Sequence, residues 1–128
     1  MEEYLSDCTT TIAELRAGIA AFVAAREWQP FHSAKNLSMS IAIEAAELME
    51  HFQWLGPEET HALLADPIVR DEIAGELADV LIYCLAMSNA CDLDISEAVS
   101  AKMTLNEGRF PVDAFKGRFR RPQREKGD

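Results

Sequence analysis

The chain has 128 residues, 48% hydrophobic and 27% charged, the ordinary profile of one globular domain large enough to bury a core. Its 22 acidic residues outnumber 12 Lys and Arg for a formal net charge of −10, which argues against a surface built to grip nucleic acid. Three cysteines without CxxC spacing, Cys8, Cys84 and Cys91, exclude a disulfide framework and fit a reducing cytoplasm.

The opening Met1-Glu2-Glu3 has no basic stretch followed by an apolar one, so no signal peptide is expected. No apolar run reaches the length of a bilayer span, so a soluble cytoplasmic protein without a membrane partner is expected. The apolar spacing is helical almost throughout, and nothing reads as strand–turn–strand. A first helix is expected from Ser6 to Arg26, with Ile12, Leu15, Ile19, Phe22 and Val23 on one stripe and Asp7, Thr9 or Thr10 as its cap. An aromatic connector follows, Glu27 to His32, whose Pro30 disfavours helix in the residue before it. A second helix runs from Ser33 or Lys35 to Trp54 and stops at Gly56-Pro57. Pro57 opens a short helix to about Ala65, and Asp66-Pro67 starts a third long one to about Ala90. Asp92 to Asp94 form a turn. Asp94 or Ser96 caps a fourth helix that ends near Glu107-Gly108, and Glu97 stands three residues after Asp94 as in a capping box. Four main helices with short connections imply an all-α, antiparallel four-helix bundle. The domain is expected over residues 1–112. Residues 113–128 hold six Lys and Arg against three acids and read as a basic, flexible tail.

The second and third long helices each carry an acid pair at i, i+3, Glu44 with Glu47 and Glu76 with Asp79. That spacing puts both carboxylates of a pair on one face. At about 100° per residue, Ser40, Glu44, Glu47 and His51 share a stripe between Leu37, Ile41, Ala45, Leu48 and Phe52 on one side and Met39, Ile43 and Ala46 on the other. Glu72, Glu76, Asp79 and Tyr83 share another, bordered by Ile73, Leu77, Val80 and Cys84. A single such pair is usually a solvated face. Two pairs in apolar settings, with twenty-eight residues between Glu47 and Glu76 for the chain to turn and return, are expected to meet inside the fold. Four carboxylates gathered there repel one another and lose hydration unless a cation joins them. Oxygen-only ligands in that number suit Mg²⁺, or Mn²⁺ in its place, rather than zinc.

The series Trp28-Gln-Pro-Phe31-His32, Lys35-Asn36-Leu37, Glu44-Ala-Ala-Glu47-Leu, Phe52-Gln53-Trp54, Glu76-Leu-Ala-Asp79-Val-Leu-Ile-Tyr83, Lys102-Met103, Asn106 and Arg109-Phe110-Pro111 resembles the MazG-like all-α nucleotide pyrophosphohydrolases, nearest their dCTP pyrophosphatase branch. The resemblance covers about Phe22 to Val112. It implies hydrolysis of a nucleoside triphosphate, dCTP or a related pyrimidine nucleotide, to monophosphate and pyrophosphate. By matching position it implies Glu44, Glu47, Glu76 and Asp79 as Mg²⁺ ligands, and Trp28, Phe31, His32, Trp54 and Tyr83 around the nucleoside. Lys102, Asn106 and Arg109 would then meet the triphosphate, Arg as a bidentate fork and Lys as a point charge. Glu47 is the carboxylate assigned to take the proton of the attacking water. His51 is read as a neighbour of the acids or a surface residue, and His61 as surface. Where the dCTP pyrophosphatase branch has a histidine nine residues before the tryptophan, this chain has Ile19, so the resemblance does not carry the dCTP preference over at that position. The resembling proteins are dimers or tetramers, which implies a homodimer or homotetramer here.

Two other readings use the same residues. A di-iron carboxylate bundle needs Glu-x-x-His pairs, and none of the four acids has a histidine at i+3. A non-catalytic helical module for oligomerisation or partner binding would be more stable with Leu at the acid positions.

Overall fold

A computed structural model describes residues 5–119. Six α-helices follow in order: α1 Ile12–Ala25, α2 Ala34–Glu50, α3 Pro57–Leu64, α4 Pro67–Ala90, α5 Ile95–Arg109 and α6 Val112–Phe115, with a 3₁₀ turn, Gln29–Phe31, between α1 and α2. No strand occurs among the described residues, so the all-α expectation holds. The 3₁₀ turn and α6 were not expected. The basic tail lies outside the described residues from position 120 on.

The helix starts are set by side-chain caps. Thr11, not Asp7, Thr9 or Thr10, caps α1: its Oγ1 accepts from Glu14 N at 3.2 Å, while Glu14 Oε2 accepts from Thr11 N at 2.7 Å. Ser6 to Thr10 instead close a turn of their own, Thr9 N and Thr10 N both donating to Ser6 O at 3.0 Å. Ser33 caps α2, Asp66 caps α4 and Asp94 caps α5. Helix α2 stops at Glu50, short of Trp54, because His51 to Trp54 tighten into a turn in which Phe52 N and Gln53 N share Met49 O.

The chain divides into two compact units, residues 1–93 and 94–128. In the first, α4 is the central rod, and α1, α2 and α3 pack on it. The fourth long helix, α5, belongs to the second unit, where Phe110 and Phe115 meet edge to face at 5.1 Å. The first unit holds three long helices and a short one.

Among the described residues the buried apolar side chains are few: Val23, Leu37, Leu85 and Ala86. A polar clamp reinforces the α1–α4 seam. Arg16 Nε donates to Asn89 Oδ1 at 3.0 Å, Arg16 Nη2 to Ser88 O at 3.3 Å, and Asn89 Nδ2 returns a bond to Arg16 O at 3.0 Å. Helix α4 also corrects one expectation. It is 24 residues long and contains an 18-residue stretch of mean hydropathy 1.3, long and apolar enough to cross a membrane by length and composition. Glu76 and Asp79 interrupt that run, and α1, α2 and α3 pack along it. The cysteines are all free thiols.

Candidate active site

Helices α2 and α4 bring the two acid pairs together. Ligand oxygens of Glu44, Glu47 and Glu76 all lie within 4.8 Å of one another. Glu44 and Glu76 are half-buried, and Glu47 is exposed. Asp79 stands outside that trio but close enough for its charge to act on Glu44. Burial first, then a side-chain contact with Glu47 and the charges of Glu47, Asp79 and Glu76, push the Glu44 carboxyl above the ordinary carboxylate range. Glu44 Oε2 is fully enclosed and meets no donor. A carboxyl–carboxyl contact with Glu47 can satisfy only one oxygen, and only when a proton is shared. An enclosed carboxylate oxygen without a donor is costly. Three convergent carboxylates and that orphaned oxygen fit a hard divalent cation bound by oxygen ligands. On the far side of the trio, His51 Nε2 approaches Glu76 Oε1 at 3.9 Å, so His51 is a neighbour of the acids rather than a surface residue.

The apolar walls expected on both sides of the α2 stripe differ. Leu37 is buried, and Ile41 and Leu48 are half-buried against the fold, but Met39 and Ile43 are 48% and 58% exposed.

Beside the acids, a cavity of about 760 Å³ opens between α1 and α4, with Asp79 in its wall. Trp28, His32 and Tyr83 line it, as does Ile19. The local chain geometry explains how Trp28 gets there. After α1, Glu27 adopts a left-handed φ of 52°, and Trp28 N donates back to Val23 O at 3.1 Å, the closure that ends a helix with a sharp reversal. Trp28 then stands edge-on to Phe22 at 5.9 Å. Asn36 Nδ2 donates to Phe31 O at 3.1 Å and ties the connector to α2. Phe31 and Trp54, 67% and 85% exposed, do not line this cavity. Lys102, Asn106 and Arg109 lie on α5 in the second unit, at i, i+4 and i+7 on one face. Leu15, Phe22 and Ile82 also line the cavity, and the sequence reading missed them as site residues. Helical spacing marks Leu15 and Phe22 only as an apolar stripe, and nothing in that pattern separates a core wall from a cavity wall.

An all-helical scaffold here presents a carboxylate cluster beside an apolar slot, and comparison with known proteins places it in a family. A model of the MazG-like family matches residues 39–120, a span that takes in both acid pairs. The chain is 37% identical over 107 residues to dCTP pyrophosphatase 1 of Bos taurus, covering 84% of this chain and 63% of that protein. It thus spans a little under two thirds of the length of these curated relatives. It is 31% identical over 110 residues to a dATP/dGTP diphosphohydrolase of cyanophage S-2L, covering 86% and 87% of the two chains. The crystal structure of a pyrophosphatase from Archaeoglobus fulgidus matches with a TM-score of 0.73 and 35% identity, over 87% of this chain and 98% of that one. The chain belongs to the MazG-like family.

Proposed function

We propose that this chain hydrolyses a (deoxy)nucleoside triphosphate to the monophosphate and pyrophosphate, with dCTP or a related pyrimidine nucleotide as the first substrate to test. The observation that carries the reading is the trio Glu44, Glu47 and Glu76, with one enclosed oxygen lacking a donor, next to an apolar cavity of nucleoside size. These three and Asp79 would hold Mg²⁺, or Mn²⁺ in its place. Bound there, the ion supplies polarisation of the phosphoryl oxygens and a more acidic water.

The remaining roles fall to the chain's own groups. Glu47 is the exposed member of the trio and has the freedom to accept a proton from the attacking water. Trp28 offers a flat apolar face to the base, His32 a donor and an acceptor, and Tyr83 a hydroxyl one turn beyond Asp79. Lys102, Asn106 and Arg109 share a face suited to the triphosphate charge. Phe31 and Trp54 reach substrate in a homo-oligomer, where a second copy completes the site. A purely structural helical module leaves the clustered acids without an explanation, because apolar residues there would be more stable.

The test is product analysis with Mg²⁺ present. Pyrophosphate, not orthophosphate, is the expected product from dCTP or a relative. Glu47→Ala and Asp79→Ala are each expected to cut turnover by about 10²–10⁴-fold while helix content by circular dichroism stays constant. Orthophosphate alone, or no turnover across a nucleotide panel, rejects the reading.

A further inference from the structure

The cavity of about 760 Å³ has α1 and α4 for walls, and Leu5, Trp28 and His32 close it from outside those helices. Phe22 and Trp28 both line it, and Arg26 does not. Arg26 nevertheless grips the wall. Its guanidinium lies 3.5 Å from the centroid of the Phe22 ring, one helical turn back, and its Nη1 donates to Phe22 O at 3.0 Å. One side chain thus holds both the ring of Phe22 and the backbone that carries it. Phe22 in turn meets the Trp28 ring at 5.9 Å and 75°, the edge-to-face arrangement that aromatic pairs favour. Arg26, Phe22 and Trp28 therefore form one series of contacts that ends in the cavity. The main chain of this corner is fixed separately, with Glu27 N donating to Ala24 O at 3.0 Å and Trp28 N to Val23 O at 3.1 Å. The rings are less confined. Phe22 is 49% and Trp28 44% exposed, so burial alone does not select one rotamer for either. The cation seated on Phe22 supplies the missing constraint.

We infer that Arg26 is a positioning residue for the base: by gripping Phe22 it holds the Phe22–Trp28 corner of the cavity in its binding shape before a nucleotide arrives. This rests on the pyrophosphohydrolase reading above. Ordering a loose side chain at the moment of binding weakens affinity, and a corner ordered in advance avoids that loss. The effect belongs to the base and not to the reacting phosphates, so it falls on KM and leaves kcat alone. A lysine at this position keeps the charge but loses the planar face that stacks on a ring, so it should replace Arg26 only in part.

The experiment measures kcat and KM for pyrophosphate release with Mg²⁺ by the full chain and its Arg26→Gln and Arg26→Lys variants, using whichever of dCTP, dTTP, dATP and dGTP is turned over best. Calorimetric Kd values for the four monophosphates and for pyrophosphate are measured alongside. Arg26→Gln should raise KM by about 2–10-fold at unchanged kcat and weaken monophosphate binding to match. Arg26→Lys should fall between it and the native chain. Pyrophosphate binding should not move, and an equal loss there overturns the inference, because Arg26 would then be acting as a charge on phosphate. In a Phe22→Leu background Arg26→Gln should add nothing, since the ring through which it acts is gone. The full loss persisting in that background, or an unchanged KM in the single variant, also overturns the inference. If no nucleotide releases pyrophosphate, the hydrolase reading fails by itself, and the monophosphate Kd values still decide the role of Arg26.

Discussion

Glu44 concentrates the chemistry of the site in one side chain. One oxygen of its carboxyl is enclosed without a donor and the group faces three other acids, and both favour its protonated form when no cation is present. A carboxyl whose pKa rises on folding holds its proton more tightly in the folded chain. Its contribution to stability is complete below the ordinary value of 4.5 and is lost as pH climbs through the raised value. The melting temperature of EDTA-treated protein, compared with that of Glu44→Gln, should therefore fall relative to the variant as pH rises above 4.5. Saturating Mg²⁺ should reverse the trend in the native chain, by about 2.7 kcal/mol at one hundred times Kd, and do much less for the variant. Equal pH slopes in the two proteins would remove Glu44 from the cluster's energetics. The i, i+3 spacing made each acid pair legible from the sequence, because it depends on one helix alone. Which acid is enclosed was not legible. That depends on how α2 settles against α4, and so does the approach of His51 to Glu76.

At the scale of elements, most helix ends were legible wherever a cap residue and a proline or glycine coincided, as at Asp66-Pro67 and Gly56-Pro57. The start of α1 was not, because Asp7, Thr9, Thr10 and Thr11 all have cap chemistry and only the reciprocal bond from Glu14 singles out Thr11. Its end at Arg26 was legible to within a residue, but the way it is made was not: Glu27 takes a left-handed conformation usually left to glycine. Glu27→Gly should consequently stabilise the chain by about 0.5–1 kcal/mol, the left-handed penalty removed less the extra freedom gained by the unfolded chain, read as a higher urea midpoint at unchanged slope. The Arg16–Asn89 clamp acts further out. It holds α1 on α4 and so keeps the two walls of the cavity in place. Asn89→Ala leaves Arg16 Nε and the Arg16 carbonyl without their partner, while Arg16 Nη2 keeps Ser88 O, at a cost of about 1–3 kcal/mol. Because neither group touches the acids, the loss in activity should appear chiefly as a raised KM, which steady-state kinetics will separate from kcat.

For the whole molecule, the apolar content of the sequence exceeds what one copy conceals. The buried apolar core among the described residues is four side chains, whereas Ile43 on α2 and Leu77 on α4 are 58% and 57% exposed, and Met39 and Met49 nearly as open. A helix with the composition of α4, apolar enough to suit a bilayer yet carrying two of the clustered acids, is accounted for when a second protein surface covers its outer side. A second copy of the same chain meets that need with a self-complementary patch, the commonest closed arrangement. This is the homo-oligomer proposed above. It bears on catalysis as well, since the exposed Trp54 and Phe31 then have a site to complete. Light scattering during size exclusion should give a mass that is a whole multiple, two or more, of 14.2 kDa. Ile43→Glu combined with Leu77→Glu puts charge into the patch at both helices and should shift that mass to a single copy at micromolar concentration. Pyrophosphate release should then fall at least tenfold, because the aromatic side chains from the second copy are gone. A variant that becomes monomeric and keeps full activity would show that each chain completes its own site.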